Sequence, residues 1–138
     1  MCVAPSAVQA LQGLVATALG TTAAELGVRG TGTAAAPGVV FDVSQDAQTV
    51  PAVTLATASG VEGELLLASS RSGGEPMSGI GDEAWSGPGW AVARRGDLTV
   101  RLSLSPQVRD RAEPHLPVLL ASALDTLAPS NGRVSTRD

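Results

Sequence analysis

Apolar residues recur every three or four positions near both ends of the chain and every second position in between, and this change of period predicts helices flanking a sheet. Near the N-terminus Val8, Leu11, Val15, Ala18 and Leu19 share one face of a helix predicted over residues 6–19. Pro5 and Ser6 stand at its start, with Ser6 able to cap free N–H groups, and Gly20 stands where a C-terminal stop belongs. Thr22-Ala-Ala-Glu25 has capping-box spacing, which predicts one further turn before Gly27. Residues 27–38 are mostly Gly, Thr, Ala and Pro without a period, and they are read as a surface connection.

Val39-Val40-Phe41-Asp42-Val43 and Ala52-Val53-Thr54-Leu55-Ala56 are rich in β-branched residues and separated by polar residues 44–49, which predicts two strands joined by a loop. Pro51 falls at the second strand's start, where a missing N–H does least harm. Residues 59–70 allow two readings. Ser59-Gly-Val-Glu62 can cap a helix carrying Val61, Leu65, Leu66 and Ser69, whereas residues 64–68 also fit a buried strand; the helix is preferred.

Trp90-Ala-Val-Ala-Arg94 and Leu98-Thr-Val-Arg-Leu-Ser-Leu104 alternate around Arg95-Gly96-Asp97 and predict a β-hairpin, with Gly96 and Asp97 as structural turn residues. Two loop lengths compete. A two-residue loop sets Ala91 and Ala93 opposite Leu102 and Val100, and a three-residue loop sets Trp90 and Val92 there instead; the second buries more apolar surface and is expected. Pro114 and Pro117 place the start of a last helix near residues 113–115, because N–H groups of a first turn have no helical partner to lose. Leu116, Leu119, Leu120, Ala123, Leu124 and Leu127 make its apolar stripe.

Between these halves lies Gly79-Ile80-Gly81-Asp82-Glu83-Ala84-Trp85, where two glycines, two adjacent carboxylates and a tryptophan meet, with Trp90 close behind. It is read as a structural turn built on Gly79 and Gly81, with Ile80 inward, Asp82 accepting backbone N–H groups, Glu83 in solvent and Trp85 against the last helix. The expected fold is α+β: an antiparallel sheet of about four strands with N-terminal and C-terminal helices packed on one face. One domain over residues 1–128 and a flexible tail over residues 129–138 complete the expectation.

Composition narrows the function more by exclusion than by indication. Nine arginines, no lysine, a net charge of -4 and three aromatic residues supply neither the basic face nor the stacking platforms of a nucleic-acid binder. The uncharged N-terminal stretch is interrupted by Gln9, Gln12 and Gly13, so it does not read as a membrane span. Cys2, the single cysteine, cannot form an internal disulfide or a zinc site alone; it is a candidate for lipidation or for one half of a former disulfide.

Gly79-Ile-Gly-Asp-Glu-Ala84 matches the G-x-G-x-x-A letters of dinucleotide binding, but no buried strand precedes it and its carboxylates would face a pyrophosphate. His115 has no Cys or second His near it for a metal, and a chain without lysine has neither Schiff-base nor P-loop chemistry. Arg95-Gly96-Asp97 spells an adhesion tripeptide, yet a hairpin turn asks for Gly-Asp on its own account. No catalytic residue, cofactor or metal is therefore expected, and the residues set aside for binding are Asp82, Glu83, Trp85 and Trp90.

The order of Cys2, Pro5-Ser6-Ala-Val, a helix ending in Leu19-Gly20, the Val39-Val40-Phe41 strand, the Gly79-Ile-Gly-Asp-Glu-Ala84 segment, an Arg-Gly-turn hairpin and a Leu/Ala-rich last helix resembles actinobacterial envelope lipoproteins of a domain-of-unknown-function family. It is also similar to the extracellular sensor domains of actinobacterial serine/threonine kinases. In such proteins a cysteine before the first helix pairs with one in the first strand, in a Cys-x-aromatic pattern; here Val40 or a neighbour stands at that place. The resemblance implies a curved antiparallel sheet with helices on one face and a non-catalytic extracytoplasmic binding or sensing role, with a small molecule or a protein as partner. Contact with a membrane would come only through an anchor at Cys2, given a precursor with a signal. The alternative expectation is a cytosolic accessory or scaffolding protein engaged in protein–protein interaction.

Overall fold

The structure, a computed structural model, describes residues 5–32, 37–45 and 48–127. Cys2 and the tail over residues 129–138 lie outside them. Seven strands form one antiparallel sheet: β1 (Gly27–Gly32), β2 (Pro37–Gln45), β3 (Gln48–Ser59), β4 (Glu75–Met77), β5 (Glu83–Gly87), β6 (Trp90–Arg95) and β7 (Leu98–Leu104), in the order β1-β2-β3-β7-β6-β5-β4. The helices are α1 (Pro5–Leu19), α2 (Gly60–Gly73), the single turn α3 (Arg109–Ala112) and α4 (Leu116–Leu127). The α+β class and the antiparallel sheet are as expected, but the sheet has seven strands rather than about four.

The three additional strands come from stretches with no strand-like pattern. β1 is formed from Gly-Val-Arg-Gly-Thr-Gly, read above as a connection, and it is held by pairing with β2 rather than by apolar side chains of its own. β4 and β5 flank the Gly79–Gly81 turn and are each too short for a period to show. Local sequence is a weak signal for such strands because pairing with a formed neighbour supplies most of their stability.

The sheet is covered on both faces. On one face Phe41, Leu55, Val53, Val100, Leu102, Ala91, Ala93 and Ala84 join Leu11, Val15, Leu19, Leu116, Leu120 and Leu124 in the main core, under α1 and α4. On the other, α2 lies across β3, β7, β6 and β5 and buries Leu67. Gly63 of α2 comes so near the sheet that an added Cβ would stand 2.8 Å from Thr99 Oγ1. The N- and C-terminal helices thus share one face as expected, while α2 resolves the ambiguity of residues 59–70 as a helix and occupies the opposite face.

The hairpin settles the competition between loop lengths against the expectation. Arg95 pairs with Leu98, Ala93 with Val100 and Ala91 with Leu102, so the loop is the two-residue Gly96-Asp97, with Gly96 at φ 61°. Counting apolar area on one face fails here because both faces are buried: the alanines lie under α4, and Val92 lies under α2 with 0% exposure. For the same reason Trp85, paired with Val92, faces the α2 side and not the last helix.

The caps and stops follow the sequence more closely. α1 ends with Thr21 N–H donating to Ala16 O and Gly20 N–H to Thr17 O, the two bonds of a Schellman stop, with Gly20 at φ 73°. Glu25 accepts from Thr22 N–H and Thr22 Oγ1, the glutamate half of a capping box, while its own N–H donates to Thr22 O. Pro114 lies in a 3₁₀ turn over Glu113–His115 that leads directly into α4, whose Leu116, Leu119, Leu120, Ala123 and Leu124 are buried.

Candidate functional site

The turn between β4 and β5 is an ordered joint. Gly79 and Gly81 have φ of 82° and 60°, which L side chains rarely adopt, and a Cβ on Gly81 would stand 2.5 Å from Arg94 O. Ile80 packs partly against the main core. Asp82 N–H donates to Arg94 O at 2.7 Å, and Asp82 Oδ2 accepts Gly96 N–H at 2.7 Å, so this residue fastens the joint to the tip of the β6–β7 hairpin.

Glu83 is not in free solvent. The Arg71 guanidinium at the end of α2 meets its two oxygens at 2.5 and 2.8 Å, and the Trp85 indole N–H donates to Oε2 at 2.6 Å. These bonds hold the Glu83 carboxyl far below its ordinary value, at about 2, the Arg71 bonds contributing most. The carboxylate therefore ties α2 to β5, and its acceptor sites are turned to neighbours within the chain. The two charged ends of Arg95-Gly96-Asp97 are likewise engaged internally, Arg95 with Asp125 at 2.9 Å and Asp97 with Gly60 N–H at 3.1 Å.

Trp90 leads to a different place. Its ring lies against Gly74 and Gly87, where added Cβ atoms would come within 2.6 and 2.4 Å of it, and the Arg101 guanidinium sits 5.0 Å from the ring centre on the α2 face. Beside this seat opens a groove of about 380 Å³, walled by Gly73, Gly74 and Glu75 on one side, Ser86, Gly87 and Pro88 on another, and Arg109 and Glu113 on the third. A smaller hollow of about 120 Å³ continues from it over Met77, Leu116 and Pro117.

The groove's charged wall is set by one turn of chain. Glu113 Oε2 accepts Gly89 N–H at 2.8 Å, which joins the 3₁₀ turn to the β5–β6 turn, and Arg109 Nε lies 3.7 Å from Glu113 Oε1. Arg109 remains about half exposed. The groove is thus lined by the Arg109 guanidinium, two carboxylates, Ser86 and the glycine backbone at Gly73, Gly74 and Gly87. Its lining has no histidine or cysteine to activate Ser86, and among the described residues no group of three or more His, Cys, Asp or Glu could hold a metal. A lining with both charge types can pair with a small polar ligand that carries both as well.

None of the four residues singled out for binding lines the groove: Trp90 packs against its glycines Gly74 and Gly87, and Asp82, Glu83 and Trp85 belong to the joint before and within β5. Arg109 and Glu113 were missed because each reads as an ordinary solvated charge. The available signal was the two glycine clusters that precede Trp90, Gly73-Gly74 and Gly87-Pro88-Gly89, which mark close approach of backbone to a large ring. Among the described residues no helix is long and apolar enough to cross a membrane. Comparison with protein-family models, with curated proteins and with solved structures finds no match to this chain.

Proposed function

We propose that the chain is a non-catalytic binding module of the cell envelope that holds a small zwitterionic ligand, such as an amino acid or a short peptide, in the groove beside Trp90. The observation that carries this reading is the convergence of Arg109, Glu113, Glu75 and the glycine backbone at Gly73, Gly74 and Gly87 on one cavity of about 380 Å³, within the range of small-molecule sites. Arg109 pairs with the ligand's carboxylate, Glu75 or Glu113 with its ammonium group, and the glycine backbone with amide groups between. The envelope location rests on the family resemblance carried by the Gly79 to Ala84 motif.

The test is a titration of the ¹⁵N-labelled chain with glycylglycine, with acetate and methylamine as single-charge controls. Amide shifts at Gly73, Gly74 and Gly87 that saturate with glycylglycine alone and vanish in Arg109→Ala support the proposal. Shifts that scatter over the surface, or that acetate reproduces, remove it. The alternative, an accessory or scaffolding protein, has one observation on its side: Val61 and Leu65 lie one turn apart on α2 and are 77% and 64% exposed.

A further inference from the structure

The two edges of the sheet are built differently. β4 is three residues long and its middle residue is Pro76, which has no N–H to offer a further strand. β1 has six residues and no proline, and it pairs with β2 on one side only. Gly27, Val28, Arg29, Gly30 and Thr31 are all exposed, so the outer side of this strand is uncovered. Its one charge does not guard it either, because Arg29 turns back onto β2, with Nε 2.7 Å and Nη2 3.0 Å from the oxygens of the buried Asp42. A charge aimed outward, a bulge or a proline are the usual protections of an edge, and none is found along β1.

A second copy of the same strand fits this edge. Antiparallel pairing of two identical edges requires a two-fold axis perpendicular to the sheet, which carries the α1/α4 face of one copy into line with that of the other. Directly opposed residues must then share a face, so the register is centred on a residue and not between two. Centring on Arg29 opposes two guanidinium groups, which is unfavourable. Centring on Gly30 opposes Gly30 to its own copy, Val28 to Gly32 of the partner subunit and Arg29 to Thr31 of the partner subunit. That register has no like-charge pair, and it lays the 39%-exposed Val28 over a position without a Cβ.

We propose that β1 is a homodimerisation edge, through which two copies pair antiparallel about Gly30 and join their sheets into one. A second copy is favoured over a free peptide as occupant because its strand is already formed, whereas a peptide loses about 1–2 kcal/mol of backbone entropy per residue on ordering. Six residues a side bury less than the roughly 1,200 Å² of a stable interface, so the dimer exchanges with monomer and grows with concentration.

The experiment is sedimentation velocity over a wide concentration range on the whole chain and on two variants of the exposed Thr31, with thermal unfolding as the check that each variant folds. Thr31→Glu sets a carboxylate opposite Arg29 of the partner subunit and is expected to tighten the dimer several-fold; Thr31→Arg opposes like charges and is expected to loosen it several-fold. A wild type that stays monomeric at every concentration overturns the proposal. So does a dimer indifferent to both variants but lost in Leu65→Glu, which would place the contact on α2. Binding of a labelled Gly-Val-Arg-Gly-Thr-Gly peptide by a chain that never self-associates would reassign the edge to extended peptides and equally refute it.

Discussion

The Asp97 carboxylate at the hairpin tip accepts the Gly60 N–H at the start of α2, 37 positions earlier in the chain, at 3.1 Å. Ser59, which stands at the N-cap position and is extended at φ -129°, makes no side-chain bond to its own helix. The cap thus comes from the turn before the adjacent strand β7, and the Asp97 backbone carbonyl lies 3.4 Å from the same nitrogen. A negative group at a helix start also meets the positive end of the helix dipole. Asp97→Ala is expected to lower stability by about 0.5–2 kcal/mol in urea unfolding, the range for losing a cap, while Ser59→Ala changes it by less than about 0.5 kcal/mol. Equal effects from the two would show that the tertiary cap contributes nothing.

The bonds among Arg71, Glu83 and Trp85 predict an acid sensitivity of definite sign. Folding lowers the Glu83 carboxyl from its ordinary 4.5 to about 2, so the folded state favours the ionised form. The resulting stabilisation is whole above about pH 4.5 and is lost as pH falls through about 2. Asp42, held down by Arg29, adds to the loss in the same direction. Glu83→Gln is expected to cost about 1–2 kcal/mol at neutral pH and to flatten the decline over the acid window. Unfolding midpoints measured across that window check both parts; parallel curves for wild type and variant would contradict them.

What could be read from the sequence depended on whether an element's stability is local. α1, the Thr22–Glu25 box and α4 were legible because their stripes, caps and prolines act within a few residues of themselves. β1, β4 and β5 were not, since a strand of Gly27–Gly32 composition acquires its identity only from β2 beside it. The joint was legible in part. Glycine and Asp82 roles followed from turn chemistry, but the fates of Glu83 and Trp85 depended on a helix over the second face, which the two-sided burial of β6 concealed. The groove was least visible, because Arg109 and Glu113 meet Gly74 and Gly87 only after the sheet has formed.

The apolar stripe of α4 supports a direct test of the main core. Leu120 is 0% exposed and belongs to the cluster shared by α1, α4 and the sheet. Leu120→Ala is expected to destabilise by about 2–5 kcal/mol. Val118, on the same helix but 58% exposed, is the control: Val118→Ala should move the unfolding midpoint little. A small effect at Leu120 would place the stripe away from the sheet.

Two glycines in helices predict opposite signs for one substitution. Gly13 lies inside α1, is exposed, and an added Cβ would meet nothing within 4 Å. Gly13→Ala should therefore stabilise by about 0.5–1 kcal/mol through helix propensity and reduced freedom of the unfolded chain. Gly63 in α2 gains the same propensity, but its Cβ would stand 2.8 Å from Thr99 Oγ1 and 3.0 Å from Ala58 O, both on the sheet and neither at the end of a flexible side chain. Either α2 lifts from the sheet or the sheet yields, at a cost of about 1–3 kcal/mol, so Gly63→Ala is expected to destabilise. Thr99→Ala removes the nearer of the two obstacles, and in that background the Gly63→Ala penalty should shrink. The four unfolding free energies of this cycle decide the matter: a Gly63→Ala penalty unchanged by Thr99→Ala would mean that the Ala58 carbonyl, and not the hydroxyl, sets how closely α2 can approach.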